Sequence, residues 1–389
     1  MKSALRMCLL ALLLLPGCGG DGAPGLIGET PEPVTDREAS TGGNYLDVGS
    51  FPFDFVFEIV DRDEIPATND RRVIGPQDEN ARYLLPDDKV FGVNINGDIR
   101  AYPHNVGWWH EIMNDVVGGI PIVVSFCPLT STGLMFDGRG TDGRMELGVS
   151  GLLFNNNLIM YDRRDGESSP TLYPQMIAKG VSGPRISEEL KQLPMIETTW
   201  RFWQALYPET KVISGLGEEY LPGIYTSYPY GTSQGRVQDY RTNDDDISFE
   251  NIPNLKDNPL IDLFPIKSLV LGVRFGEIAK AYPFQNMGER AVINDIVGGN
   301  PIVVLFHAEE DFAIAYEGSF EGAPLTFDMV SSNNPAMPFF MKDRETGTVW
   351  DMLGSAKEGI NRGAQLKLVP AHQAMWFAWA TFWQNTGIY

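Results

Sequence analysis

Residues Val90–Cys127 read VFGVNINGDIRAYPHNVGWWHEIMNDVVGGIPIVVSFC, and residues Val270–His307 read VLGVRFGEIAKAYPFQNMGERAVINDIVGGNPIVVLFH. They align at an offset of 180 without a gap and agree at 16 of 38 positions, where background frequencies would give about two or three. Repetition of this length is an architectural signal in its own right. It continues downstream: Asp162-Arg163 answers Asp343-Arg344, Pro194 answers Pro370, and Trp200 and Trp203 answer Trp376 and Trp379. Two related halves, 56–230 and 231–389, are therefore expected from an internal duplication. Duplicated units commonly bury one self-complementary face about a pseudo-two-fold axis.

Within the repeat, Lys89–Ile95 is rich in β-branched and aromatic residues, and Asn96-Gly97-Asp98 is a hairpin turn signal before a return strand over Ile99–Tyr102. A second hairpin is expected from Ile112–Val117 and Ile120–Phe126 around Gly118-Gly119, where glycine supplies positive φ. Leu158–Tyr161 reads as a further strand. Ile196, Trp200, Trp203 and Tyr207 share one face at helical spacing near the end of the first half, and Met375, Trp376, Trp379 and Trp383 do so in the second. These Trp stripes read as core. The fold class expected is α+β and β-rich: hairpins and meanders, curled in a barrel-like way, each half closed by a Trp-rich helix.

The N-terminus reads differently. Lys2 and Arg6 precede an apolar run over Met7–Leu15, too short to span a bilayer, that ends in Leu15-Pro16-Gly17-Cys18. This resembles the lipobox of bacterial lipoproteins, although Pro16 departs from the usual small residue. Residues 1–17 are then a signal peptide, Cys18 bears lipid, and 18–55 is a Gly-, Pro- and acid-rich tether. Gly19 in place of Asp fits a cargo sent to the outer membrane, with the body in the periplasm or at the cell surface. The chain carries net charge −21, and loss of residues 1–17 removes Lys2 and Arg6 and no acid, leaving −23. Such a surface repels nucleic acid and anionic headgroups. With Cys8 removed and Cys18 lipidated, Cys127 is the one remaining thiol, and no intrachain disulfide is available.

Together, Ala101-Tyr102-Pro103, Trp109-His110-Glu111-Ile112, Asn114-Asp115, Val117-Gly118-Gly119, Phe126-Cys127-Pro128-Leu129, Gly148–Leu153, Asn156 and Tyr161-Asp162-Arg163 resemble the domain-of-unknown-function family numbered 3179, from about residue 60 to the C-terminus. The resemblance implies membership and no activity. Family members commonly carry Cys-x-x-Cys where this chain has Cys127 followed by Thr130. That departure removes intramolecular dithiol chemistry and a two-thiolate metal site.

Candidate chemistry lies in residues present in one copy alone. His110, Glu111 and Cys127 become Arg290, Ala291 and His307 in the second half, and His104 becomes Phe284. Asn114-Asp115 recurs as Asn294-Asp295 and reads as scaffold, though both join the candidate binding set with His104 and His307. Hairpin pairing brings His110 and Cys127 to one strand end, where imidazole could activate the thiol, with Glu111 as orienter, or the two could hold a copper-like metal. His110-Glu111 followed by Asn114 lacks the last ligand of a zinc-protease motif and reads as strand. His372, opposite Ile196 of the first half, reads as a surface or helix-cap residue. The Asp-Arg pairs at 162–163 and 343–344 read as structural ion pairs. Three functions follow: an envelope lipoprotein binding a small polar ligand or metal in its first half; a thiol enzyme using Cys127 and His110; or an assembly lipoprotein with no site.

Overall fold

The computed structural model describes residues 37–41, 45–140, 142–166, 168–215, 224–226, 251–253, 255 and 257–389. The expected signal peptide, Cys18 and the boundary at 230 lie outside them.

The first hairpin forms as its sequence dictates. Strands β1 (Lys89–Ile95) and β2 (Asp98–Pro103) pair antiparallel, with Ile95 opposite Asp98. Asn96 and Gly97 make the two-residue turn at φ 52° and 81°, the two positive values such a turn requires. The chain then forms helix α1 (His104–His110), which ends at Glu111. Strands β3 (Ile112–Val117) and β4 (Ile120–Cys127) make the second hairpin, followed by β5 (Thr132–Asp137), β6 (Leu147–Phe154) and β7 (Asn157–Asp162). The half closes with β8 (Ile196–Thr199), α2 (Trp200–Leu206) and β9 (Lys211–Ile213).

In the second half come β10 (Leu269–Phe275), β11 (Ile278–Pro283), β12 (Arg290–Val297), β13 (Asn300–His307) and β14 (Phe312–Glu317). They are followed by β15 (Phe327–Asn334), β16 (Met337–Asp343), β17 (Ala371–Met375), α3 (Trp376–Phe382) and β18 (Gly387–Ile388). Strand orders correspond between halves. The order β8-β1-β2-β9 matches β17-β10-β11-β18, β5-β4-β3 matches β14-β13-β12, and the β6-β7 ribbon matches β15-β16. Even the parallel closing pairs agree, Lys211 beside Arg100 and Gly387 beside Lys280. The protein is thus β-rich with short helices, as expected. The barrel-like curl is not: among the described residues each sheet is open, its edge strands pairing on one side only.

Two helix expectations change. Ile196 and Met375 belong to strands β8 and β17, which pair antiparallel with β1 and β10, and the Thr199 hydroxyl caps α2 by accepting from Phe202 N. The Trp residues are core: Trp203, Trp376 and Trp379 are fully buried. Their packing explains two glycines. A Cβ on Gly92 would lie 2.3 Å from the Trp203 ring, and one on Gly272 would lie 1.9 Å from Trp379. Each indole then donates to a threonine, Trp203 to Thr210 at 2.8 Å and Trp379 to Thr386 at 2.9 Å.

The halves meet reciprocally, β8 packing on β14 and β17 on β5. Thr198 Oγ1 donates to Glu310 O and Gln373 Nε2 to Glu197 O across this seam. Part of the expected tether is packed as well. Arg37 and Ile388 exchange backbone hydrogen bonds, and Tyr45 meets Phe154 and Phe382 edge-on. Phe51 is buried there too. Apolar residues at 45, 46, 48 and 51 give this end of the segment a surface to bury that the glycine-rich part lacks.

Candidate functional site

Helix α1 and the strand ends beside it position the candidate residues. Gly107 lets α1 lie close to β4, since a Cβ there would come within 2.9 Å of the Phe126 ring. The helix stops at Glu111, whose φ of 53° and ψ of −35° lie outside ordinary helix and strand conformations. Such a conformation is costly for a residue with a Cβ and persists where surrounding contacts impose it. Here Glu111 N donates to Gly107 O, and Glu111 O accepts from Phe126 N, both at 2.7 Å. The turn separates two neighbours in sequence: His110 goes one way and Glu111 the other.

His110 is buried and engaged at both nitrogens, Nδ1 with Pro66 O and Nε2 with the Tyr225 hydroxyl, each at 2.7 Å. A carbonyl can only accept, so Nδ1 carries the proton and Nε2 accepts from Tyr225, whose oxygen in turn accepts from Arg71 Nη1 at 2.7 Å. Burial pushes this imidazole down to about 4, so it is neutral. It ties α1 to distant segments and is not directed at the thiol. The zinc-motif segment therefore divides, His110 ending a helix and Asn114 lying in a strand.

Cys127 is 1 % exposed, and its Sγ donates to Asn156 O at 3.6 Å. Burial, and then the nearby Glu111, raise the thiol to about 11, against the Thr130 hydroxyl and backbone N–H groups of Leu158 and Thr130. Burial alone raises the Glu111 carboxyl to about 8. Among the described residues this carboxyl has no hydrogen-bond partner. Both groups are consequently neutral at pH 7.

The polar surroundings come from the β6–β7 turn. Asn155 and Asn156 occupy it at φ 51° and 57° and are buried. Asn156 contributes the carbonyl that meets Cys127, while the Asn155 amide has neither its nitrogen nor its oxygen satisfied. Asn157 is fully engaged, donating to Thr130 Oγ1 at 3.0 Å and to Gln175 Oε1 at 2.7 Å, and Gln175 Nε2 donates to Ser125 Oγ. An orphaned buried amide costs about 1–3 kcal/mol and calls for a reason. Asn155 escaped the sequence reading. The signal was present: three consecutive asparagines, two in the turn and one opening β7, stand where the second half has Pro335-Ala336-Met337.

The remaining candidates have structural partners. His104 lies between the rings of Phe91 and Phe126, at 4.2 and 4.4 Å, with Nε2 3.5 Å from Glu197 Oε1. Asn114 clamps Leu147, accepting from its N at 2.9 Å and donating to its O at 3.0 Å, and Asn294 clamps Phe327 in the same way. Asp115 receives Tyr102 and Arg100, as Asp295 receives Tyr282 and Lys280. His307 reaches the first half, yet it stacks on Phe202 of α2 at 5.7 Å. The Asp-Arg repeats also pair differently from expectation: Arg163 meets Asp63, Asp162 holds Arg164 and Arg185, and Arg344 meets Asp328.

The copper-like metal expected at His110 and Cys127 has no support in this geometry. Among the described residues no group of three or more His, Cys, Asp or Glu side chains could hold a metal, and the two named ligands face different partners. No helix among the described residues is long and apolar enough to cross a membrane.

Residues 62–386 match the model of a family described as protein of unknown function, DUF3179. No curated protein and no solved structure matches the chain.

Proposed function

The chain belongs to the DUF3179 family, whose description assigns no activity, so function has to be read from the site itself, and we propose that the first half binds a small, neutral, hydrogen-bonding ligand beside Glu111, Cys127 and Asn155. The observation that carries this is the unsatisfied Asn155 amide, buried next to the turn carbonyl that meets the Cys127 thiol. A neutral carboxylic acid can donate and accept, a primary amide can do both, and neither favours an ion. That chemistry suits an amide or polyol better than a metal cation. A thiol pushed up to about 11, with no imidazole acting on it, is a poor nucleophile, which favours binding over thiol catalysis.

The reading rests on an internal duplication. It is supported by the gapless repeat, the matching strand orders and the equivalent clamps at Asn114 and Asn294. The second copy, with Ala291, His307 and Pro335 at the key positions, is the scaffold against which the first copy is held. We place the whole in the cell envelope as a lipoprotein anchored through Cys18, on the apolar run ending in Gly17-Cys18. Cys18→Ser should then accumulate as an unprocessed precursor, and normal processing would remove the anchor from the proposal.

Native mass spectrometry of the purified protein, followed by thermal-shift titration with acetamide, urea, glycerol and glucose, tests the ligand. At least one probe or co-purifying molecule should stabilise the wild type and lose its effect in Asn155→Ala. A uniform absence of stabilisation, or equal stabilisation of the variant, would favour an assembly protein without a site.

A further inference from the structure

The second half has its own departures from the repeat, and they gather on one sheet face. In β10 and β17, Gly272 stands opposite His372, and in β10 and β11 it stands opposite Ala281. Side chains alternate along a strand, so Arg274, two residues on, shares that face with His372. The face is covered by α3 and the residue after it. Trp379 fills the space above Gly272. The His372 ring lies 5.4 Å from Trp379, Trp379 lies 6.0 Å from Trp383, and the Arg274 guanidinium carbon is 4.8 Å from the centre of the Trp383 ring.

These groups are short of partners. Trp383 is 2 % exposed and His372 8 %, and neither Trp383 Nε1 nor His372 Nε2 has a hydrogen bond. Among the described residues the Arg274 guanidinium makes no ion pair. The carboxylate acting on it, Glu189, is itself 3.5 Å from Lys179 Nζ and largely in solvent. His372 was expected at the surface and is instead buried, where its environment keeps it neutral.

The first half shows the same face closed. There Arg274 is Asn94, His372 is Ile196 and Trp383 is Tyr207, while Trp203 matches Trp379. The Asn94 side chain acts on the Tyr207 hydroxyl, opposing the effect of burial on it, and Ile196 needs no partner. The second half thus has a cation, an indole N–H and an imidazole where the first has an asparagine, a tyrosine and an aliphatic side chain. Two buried polar groups without hydrogen bonds, beside a guanidinium with no ion pair among the described residues, are costly, and an anion would complement all three.

We propose that Arg274, Trp383 and His372 form a second binding site, for a small planar carboxylate. A carboxylate can take two parallel N–H bonds from one guanidinium, and the indole N–H and the Nε2–H tautomer of His372 supply further donors. A single guanidinium on an aromatic floor suits a flat monoanion better than a tetrahedral dianion. The site is independent of the Asn155 cluster and stands if that cluster binds nothing.

Two-dimensional NMR of the ¹⁵N-labelled indole N–H groups tests it, with sodium acetate titrated against sodium chloride at matched ionic strength. The Trp383 resonance, assigned from its loss in Trp383→Tyr, should shift saturably with acetate alone. Arg274→Asn should weaken that response by about tenfold or more, the effect of losing a charge-assisted pair. The double variant Arg274→Asn/Trp383→Tyr rebuilds the pair found in the first half. It should stay folded, with no saturable acetate response at Trp379. A wild-type response that is linear, that chloride reproduces, or that survives in Arg274→Asn overturns the proposal. Saturation by sodium phosphate without any acetate response overturns the assignment to a carboxylate.

Discussion

Replacing Glu111 by Gln should stabilise the protein, and by more as the pH rises. Burial raises this carboxyl from 4.5 to about 8, while in the unfolded chain it ionises at its ordinary value. Between those limits the unfolded chain gives up a proton that the native chain keeps, so stability is full below about pH 4.5 and is lost as pH rises toward 8. Each pH unit in that window is worth about 1.4 kcal/mol, which gives about 3 kcal/mol at pH 7 as an upper bound, because Glu111 is only partly buried. Glutamine has nearly the same shape and shares the φ of 53°, so the backbone cost cancels. Urea unfolding of both proteins at pH 5, 6, 7 and 8 is the assay. The curves should nearly meet at pH 5 and diverge steadily above it, the variant being more stable. Parallel pH profiles, or a variant less stable than wild type at pH 8, would refute an unpartnered, neutral Glu111.

Three further outcomes follow from the packing and the burial. Gly92→Ala and Gly272→Ala should each cost about 3 kcal/mol or more in chemical denaturation, since the new methyl meets an indole ring at 2.3 or 1.9 Å; a large effect in one half and none in the other would break their equivalence. Cys127 should resist iodoacetamide in the native protein and react fully in denaturant, because the thiol is 1 % exposed and raised to about 11; rapid native alkylation that slows in His110→Ala would restore the His-activated thiol. His372→Ile, copying Ile196, should flatten acid destabilisation: the imidazole sits near 3 instead of 6.5, so stability falls as pH drops from 6.5, by about 2 kcal/mol at pH 5. Melting temperatures of the two proteins at pH 7 and 5 measure this, and equal losses would contradict it.

The strands were legible because local pattern determines them. Lys89–Ile95 and Ile112–Val117 run over the residues the alternation and turn signals indicate, and Asn114-Asp115 is scaffold because both halves use it in the same way. Helix α1 was not legible. Its seven residues hold Gly107, two tryptophans and two histidines, with no cap signal, and it forms because Gly107 can press against Phe126. The site was half legible. Hairpin register does bring residues 110 and 127 to one strand end, yet which side chain points at the thiol is decided by the backbone of Glu111, a property that propensity does not encode. His110 was misjudged because its partners, Pro66 and Tyr225, lie 44 and 115 residues away.

Comparing the two halves separates residues more sharply than either half alone. Where both keep a polar residue, it is satisfied in both: Asn114 and Asn294 each clamp a strand, Asp115 and Asp295 each hold a tyrosine, and Trp203 and Trp379 each find a threonine. Where they diverge, buried polar atoms without hydrogen bonds occur among the described residues, Asn155 in the first half and His372 and Trp383 in the second being examples. Replacing such a group by an apolar or paired residue gains stability. The different chemistry of these groups, a primary amide in one half and an indole N–H and a neutral imidazole beside Arg274 in the other, is what the two proposed ligand chemistries rest on.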